Sequence, residues 1–80
     1  MNIQKAIAMR IRQLCNEKGF TANGIAVHSA VHQATVKSIL NGESKNPQIA
    51  TIKKLCDGFG ITLEEFFATP EFNNLEQEIK

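Results

Sequence analysis

Residues 21–42, TANGIAVHSAVHQATVKSILNG, constrain the fold of this chain more than any other stretch, because their apolar positions follow two helical repeats separated by a break. Ile25 and Ala26 lie on one face of the first repeat, and Val31 falls in the break. The second repeat has its own apolar stripe, formed by Val36, Ile39 and Leu40. The pattern predicts two short helices joined by a tight turn, which is a helix-turn-helix.

The segments on either side of this motif are also predicted to be helical. Residues 3–18 carry apolar side chains at steps of three and four, with Asn2 as the cap and Gly19 as a left-handed exit. Another helix should follow Pro47 and end at Gly60. The residues of that helix expected to face inward are Ile49, Ile52, Leu55, Cys56 and Phe59.

The last quarter of the chain contains two further helix starts. Thr62 and Glu65 form a capping box, and Ile61 before the cap is placed to pack against Phe66. Farther on, Pro70 is a favourable first residue for a short sixth helix. The apolar positions of this last helix are Phe72, Leu75 and Ile79. The sequence therefore predicts an all-α chain.

Length and composition limit the class of protein. A chain of 80 residues with 42% apolar residues is sufficient for one small domain. No apolar run approaches the roughly 18 residues of a membrane span, and no secretory signal is visible. The two cysteines, Cys15 and Cys56, stand alone on apolar helical faces and are predicted to be inert packing residues. We therefore expect a cytoplasmic, reduced protein.

No constellation for catalysis or metal binding is evident. His28 and His32 are four residues apart, but the predicted turn separates them and no third ligand is near. Glu64 and Glu65 are adjacent, which suits a helix N-terminus better than acid–base chemistry. No phosphate-binding glycine loop occurs. We expect neither enzyme activity nor a metal, a cofactor or a small-molecule effector.

Charge is sorted along the chain, although the formal net charge is only +1. Residues 1–56 contain eight Lys or Arg and two acids, a balance of +6, whereas residues 57–80 contain six acids and one Lys, a balance of −5. A basic first part suits an anionic partner, and an acidic end affects the rate of association. The alternative is that both parts are ordinary solvated surfaces.

Residues 10–67 resemble the lambda-repressor/Cro-like, or Xre-type, helix-turn-helix domain of bacterial and phage regulators. The resemblance rests on the order and spacing of RIRQLCNEKGFT, of Ala26 and Val36 at packing positions, and of ILNG, NP and GITLEEFF. It implies a compact five-helix bundle over residues 1–67, with residues 68–80 as a tail that contains the sixth helix. It also implies a sequence-specific DNA-binding regulator of transcription, for which we expect the role of a repressor.

In this family the third helix enters the major groove of double-stranded DNA, and its outer face here is small and polar. The resemblance implies base contacts from His32, Gln33, Ala34, Lys37 and Ser38. It implies phosphate contacts from Thr21, Ala22, Asn23, Asn41, Lys45 and Asn46. Gln33 is the most informative of these residues, because a Gln side chain pairs with adenine through two hydrogen bonds.

Several positions depart from the family pattern. Ala30 stands where the family commonly has a left-handed glycine, which predicts a strained turn. Ala22 stands where a Gln usually grips a phosphate. These departures support an alternative function, in which the chain keeps the fold but binds a polypeptide, as a protein-interaction or antitoxin-type module.

Another departure concerns helices one and three. Many members have an Arg at the position of Cys15 and a Glu at the position of Leu40, which form an ion pair. Replacing both charges by apolar groups can be neutral, whereas losing one strands a charge. We therefore expect the side chains of Cys15 and Leu40 to be in contact.

Dimer formation is the remaining expectation, because one recognition helix offers few base contacts and paired half-sites offer twice as many. The residues predicted for the dimer seam are Phe66, Phe67, Phe72, Leu75 and Ile79. The alternative is that these side chains fold back on their own core.

Overall fold

The computed structural model describes residues 1–79, which form six helices and no strand. The helices are α1 Ile3–Lys18, α2 Ala22–His28, α3 Gln33–Leu40, α4 Ile49–Phe59, α5 Leu63–Phe66 and α6 Pro70–Asn73. The predicted all-α fold, with a helix-turn-helix formed by α2 and α3 and a short sixth helix, is confirmed. None of these helices is both long and apolar enough to cross a membrane, as far as the described residues extend.

The helix starts follow the predicted capping chemistry. Asn2 accepts a hydrogen bond from the backbone N–H of Lys5 at 2.9 Å, which caps α1. At α5, the Thr62 hydroxyl oxygen accepts from the N–H of Glu65, while the Glu65 carboxylate accepts from the N–H of Thr62, both at 3.0 Å. The predicted capping box is therefore present. Such caps each contribute about 1 kcal/mol.

The ends of α1, α2, α3 and α4 share one backbone geometry. After each helix a residue adopts a left-handed conformation, and the next N–H donates to the carbonyl five residues earlier, at 2.9 to 3.0 Å. The left-handed residues are Gly19, Ala30, Gly42 and Gly60. The three glycines have φ of 76°, whereas Ala30 has φ of 56°. The left-handed, non-glycine turn predicted at Ala30 is confirmed.

The core lies between α1 to α5, and each of these helices contributes a side chain with 0% exposure. These side chains are Ile11, Ile25, Val36, Leu55 and Phe66. Burying one large apolar side chain contributes about 1.5 to 3 kcal/mol. The helix-turn-helix is therefore held by its inner side against the rest of the bundle, with α3 packed on both α1 and α2.

Two predictions about apolar side chains were wrong. Ile49 was expected to face inward, but it is 62% exposed, because it is the first residue of α4 and lies beyond the packed turns. Phe66 was placed in a dimer seam, but it is completely buried in its own core, and Phe67 and Phe72 pack edge-on at 4.9 Å between ring centroids. Phe66 and Phe67 pair in the same way. These aromatic rings therefore stabilise the single chain.

The sixth helix is shorter than the spacing of its apolar residues indicated. It ends at Asn73, and the side chain of Asn74 donates to the carbonyl of Pro70 at 3.1 Å. Asn favours turns over helix interiors because its side chain competes for backbone groups. Leu75 is consequently half-buried outside the helix, and Ile79 is 81% exposed. The chain then passes the residues before α1, where the N–H of Glu76 donates to the carbonyl of Met1.

Candidate DNA-binding surface

The turn between α2 and α3 determines which side of α3 faces outward. α2 ends at His28 with Ser29 as its C-cap, and the left-handed Ala30 then reverses the chain so that the N–H of Val31 donates to the carbonyl of Ala26 at 2.9 Å. Val31 packs against the core. α3 begins after His32, whose side chain makes no capping hydrogen bond.

The residues predicted to contact bases lie on α3 and at its N-cap. On the inner side, Val36 and Ile39 are 0% and 2% exposed. The outer side presents exposed His32, Gln33, Ala34 and Lys37 and half-buried Ser38. Because the inner side is fixed in the core, the outer side is presented as a rigid polar ridge. All five predicted base-contact residues are thus at least partly exposed.

Sequence reasoning missed Glu43 beside α3, whereas periodicity placed Thr35 at the edge of the outer side without counting it among the base contacts. Both line a shallow depression with Ala34 and Ser38, and the N–H of Glu43 donates to the carbonyl of Ser38 at 2.9 Å. A carboxylate here repels a phosphate but can accept a hydrogen bond from the amino group of cytosine. The position of Glu43 depends on the turn after α3, which periodicity does not report.

The start of α2 presents the first group of predicted phosphate contacts. The hydroxyl of Thr21 accepts from the N–H of Gly24 at 2.9 Å, so this side chain is used as the helix cap. The first backbone hydrogen bond of α2 is donated by the N–H of Ile25 to the carbonyl of Thr21. The N–H groups of Ala22 and Asn23 precede that bond and point out of the helix end. Asn23 is exposed, whereas Ala22 is half-buried.

The loop after α3 presents the second group. Asn41, Lys45 and Asn46 are all exposed. The side-chain amide of Gln4 on α1 donates to the carbonyl of Lys45 at 2.7 Å, which ties the loop to the bundle. Within residues 1–79 the ammonium group of Lys45 forms no ion pair. It therefore remains available to an external anion.

Arg12 on α1 was not singled out by the sequence. One guanidinium nitrogen, Nη2, donates to the carbonyl of Leu40 at 3.0 Å, across a sequence separation of 28 residues. Arg12 borders a groove with Asn41 on one side and a pocket with Ala22 on the other. It thus lies between the two predicted groups of phosphate contacts. A bond between residues so far apart leaves no local pattern that could have revealed it.

Cys15 and Leu40 line the same pocket, between α1, α2 and α3. Their direct contact stays a prediction. Burial raises the pKa of the Cys15 thiol, and the nearby positive charge of Arg12 opposes that effect without reversing it. The thiol is therefore protonated near neutral pH and suits a packing role.

The histidines lie apart from any metal-binding geometry. The ring of His28 packs on Phe20, with 5.4 Å between the ring centroids. In the part of the chain that the structure describes, no three His, Cys, Asp or Glu side chains are grouped so that they could hold a metal ion.

Comparison with known proteins gives the family of this chain. The model of the Cro/C1-type helix-turn-helix DNA-binding domain matches residues 10–71. Two curated proteins of Bacillus subtilis are similar: the HTH-type transcriptional regulator RghRB, 36% identical over 59 residues, and the HTH-type transcriptional repressor RghR, 38% identical over 55 residues. The matches cover 74% and 69% of this chain but only 42% and 41% of those proteins. The chain therefore spans about two fifths of their length.

Two solved structures share the fold. The prophage Lp1 protein 11 superposes with a TM-score of 0.82 and 30% identity, over 94% of this chain and 100% of that one. An HTH_3 family transcriptional regulator from Vibrio cholerae superposes with a TM-score of 0.74 and 31% identity, over 81% of this chain and 36% of that one. Sequence, fold and the exposed ridge of α3 lead to one assignment. The chain belongs to the Cro/C1-type helix-turn-helix family of DNA-binding transcriptional regulators.

Proposed function

We propose that this protein is a sequence-specific repressor that inserts α3 into the major groove of double-stranded DNA. The observation that carries the proposal is that α3 buries Val36 and Ile39 in the core while Gln33 and Lys37 remain exposed. A major groove accommodates an α-helix and presents base edges to its side chains. The repressor role is supported by the similarity to RghR.

Within this proposal, Gln33, His32 and Ala34 at the start of α3 contact base edges, with Lys37 and Ser38 one turn later. The backbone N–H groups at Ala22 and Asn23 and the loop side chains Asn41, Lys45 and Asn46 hold phosphates on either side. Thr21 contributes indirectly, because its hydroxyl is engaged as the cap of α2. Phosphate contacts position the helix, and base contacts give specificity.

A comparison of two variants tests the proposal. Duplexes selected from a random pool first supply a binding site. On that site, Gln33→Ala should weaken binding by about 1 to 3 kcal/mol and relax the preference at one base position. Lys45→Ala should weaken binding to all DNA sequences equally and reduce the slope of log K against log salt by about one. Fluorescence anisotropy titrations at several salt concentrations measure both effects.

Lys54→Ala is the matched control, because Lys54 is exposed on α4, which packs mainly against α2 and α5. It should leave specificity unchanged. If Gln33→Ala and Lys45→Ala both bind duplex like the unmodified chain, α3 is not the groove helix. Binding to a polypeptide with weak salt dependence, and none to duplex, would instead establish the protein-interaction module.

We also propose that two copies bind paired half-sites about one helical turn apart, because one α3 offers few base contacts. Of the predicted seam residues, Phe66 is excluded by its burial, and Phe67, Phe72 and Leu75 are half-buried. Ile79 is 81% exposed. Ile79→Asp should therefore lower the molecular mass measured by light scattering if the tail joins two copies. An unchanged dimer mass would place the seam elsewhere.

A further inference from the structure

We infer that Arg12 is an additional contact to the DNA phosphate backbone, held in place by the carboxyl end of α3. This inference rests on the proposed function, because it requires α3 to lie in a DNA groove. Arg12 belongs to α1, outside both the helix-turn-helix and the loop that follows it. It would make α1 part of the DNA-binding surface.

The guanidinium of Arg12 is anchored but not neutralised. Its Nη2 donates to the carbonyl of Leu40, the last residue of α3, at 3.0 Å. A cation is favoured at a helix carboxyl end, where the helix dipole is negative. A carbonyl carries no formal charge, however, and the ion pairs found in residues 1–79 do not include Arg12. The full positive charge therefore remains at the surface.

Arg10, two residues earlier on α1, shows what a structural arginine looks like in this fold. It is half-buried and donates through Nε to the carbonyl of Phe66, through Nη2 to that of Glu65, and through Nη1 to the side chain of Gln13, each at 2.8 Å. Arg12 is exposed and makes one such bond within residues 1–79. Since a guanidinium has five N–H donors, most of those on Arg12 are unused within these residues.

The location of Arg12 suits a phosphate. The first residues of a recognition helix reach base edges, so the carboxyl end of α3 is expected nearer to the DNA backbone. Arg12 borders the groove that Asn41 and Gly42 line at this end, and Lys5, two helical turns earlier on α1, lines the same groove. Arg is well suited to phosphate because its planar donors are preorganised. The anchor on Leu40 restricts the guanidinium further before DNA arrives.

The experiment compares Arg12→Gln with Arg12→Lys. Gln removes the charge but keeps an N–H donor for the carbonyl of Leu40, whereas Lys keeps the charge. Affinity for a selected duplex is measured by anisotropy between about 50 and about 200 mM salt. One lost phosphate contact should reduce the slope of log K against log salt by about 0.9. The loss of affinity of Arg12→Gln relative to the unmodified chain should therefore be about 3.5-fold smaller at the highest salt concentration than at the lowest. Arg12→Lys should keep the slope of the unmodified chain.

Lys54→Gln, which removes an exposed charge from α4, should leave the slope unchanged. Urea unfolding of each variant identifies any loss of folded protein. If Arg12→Gln loses the same factor of affinity at every salt concentration, Arg12 only caps α3 and the inference fails. If it does so while Gln33→Ala still relaxes base preference, the proposed function survives. An unmodified chain that binds no duplex would overturn both.

Discussion

The connection between α4 and α5 and the connection between α2 and α3 have the same backbone geometry but different local sequences. In both, a left-handed residue follows the helix and the next N–H donates to the carbonyl five residues earlier, at 3.0 Å for Ile61 and 2.9 Å for Val31. The first connection has Gly60 at the left-handed position and a capping box at the next helix. The second has Ala30 there, and no side-chain cap on α3.

A third difference concerns buried polar groups. Ser29, at the end of α2, is 8% exposed, and its hydroxyl oxygen has no hydrogen-bond partner among the described residues. An unsatisfied buried hydroxyl is unfavourable by about 1 to 3 kcal/mol. The connection that orients α3 is thus the one in which local preferences are not met. In natural proteins, strained residues and unmet local preferences are concentrated at functional sites, because function there constrains the backbone.

The two regions meet where Ser29 touches Gly58 of α4, and Gly58→Ala is expected to have the largest effect on stability. An added Cβ would overlap the hydroxyl of Ser29 and lie 3.0 Å from its Cβ. Overpacking of this kind is unfavourable by up to about 3 kcal/mol. Alanine regains about 1 kcal/mol through its better helix propensity, which leaves a net loss of about 2 kcal/mol in the free energy of unfolding. Urea denaturation measures it.

Ser29 provides the matched background for this test. Ser29→Ala removes the unpaired hydroxyl and should by itself change stability little or raise it. In the Ser29→Ala background, Gly58→Ala should be less destabilising by at least about 0.5 kcal/mol, since the worst overlap is gone. Strictly additive effects would show that the contact between α2 and α4 is not what limits the size of residue 58.

The sequence predicted this fold well where capping and glycine signals are local. These signals act through neighbours fewer than six residues away, so they can be recognised from the sequence alone; they are Gly19, Gly60 and the Thr62–Glu65 capping box. The strained Ala30 was also predicted, through the resemblance of the surrounding motif. Exposed Ile49 was missed because helical spacing does not reveal that α4 extends its first residue beyond the core.

The candidate site was less predictable than the fold. Periodicity placed Lys37 on the outer side of α3 and the resemblance added Gln33, and both side chains are exposed in the structure. It could not reveal Arg12, whose bond to Leu40 depends on how α1 crosses α3. This chain has neither charge of the Arg–Glu pair that many relatives form, because Cys15 and Leu40 occupy those positions. A guanidinium on α1 nevertheless binds residue 40: Arg12, one turn before Cys15, donates to the backbone carbonyl of Leu40.

Gly60→Ala tests the well-formed connection, with the second largest expected effect. Apart from Gly60 and its two chain neighbours, no atom of the described residues lies within 4 Å of the position of an added Cβ, so the change reports conformational strain alone. An L-residue in the left-handed region is unfavourable by about 1 to 2 kcal/mol, partly offset by the lower entropy of the unfolded chain. We expect a loss of about 1 kcal/mol in the free energy of unfolding. Gly19→Ala, equally unobstructed with φ of 76°, should match it. A much larger loss at Gly60 alone would mean that the α4–α5 connection is sensitive to more than backbone strain.

Ala30→Gly is the reciprocal change in the turn between α2 and α3, and its effect should be smallest and opposite in sign. Ala30 has φ of 56°, close to the left-handed minimum, and therefore has less strain to release than an alanine at 76° would have. The expected gain in the free energy of unfolding is about 0.5 kcal/mol, from the relieved strain less the greater entropy of the unfolded glycine chain. If the turn serves only to orient α3, the variant should bind the selected duplex with unchanged specificity. A gain in stability accompanied by weaker binding would show that alanine at this position is matched to the docking of α3, whereas a loss of stability would show that the Ala30 side chain contributes contacts that outweigh its strain.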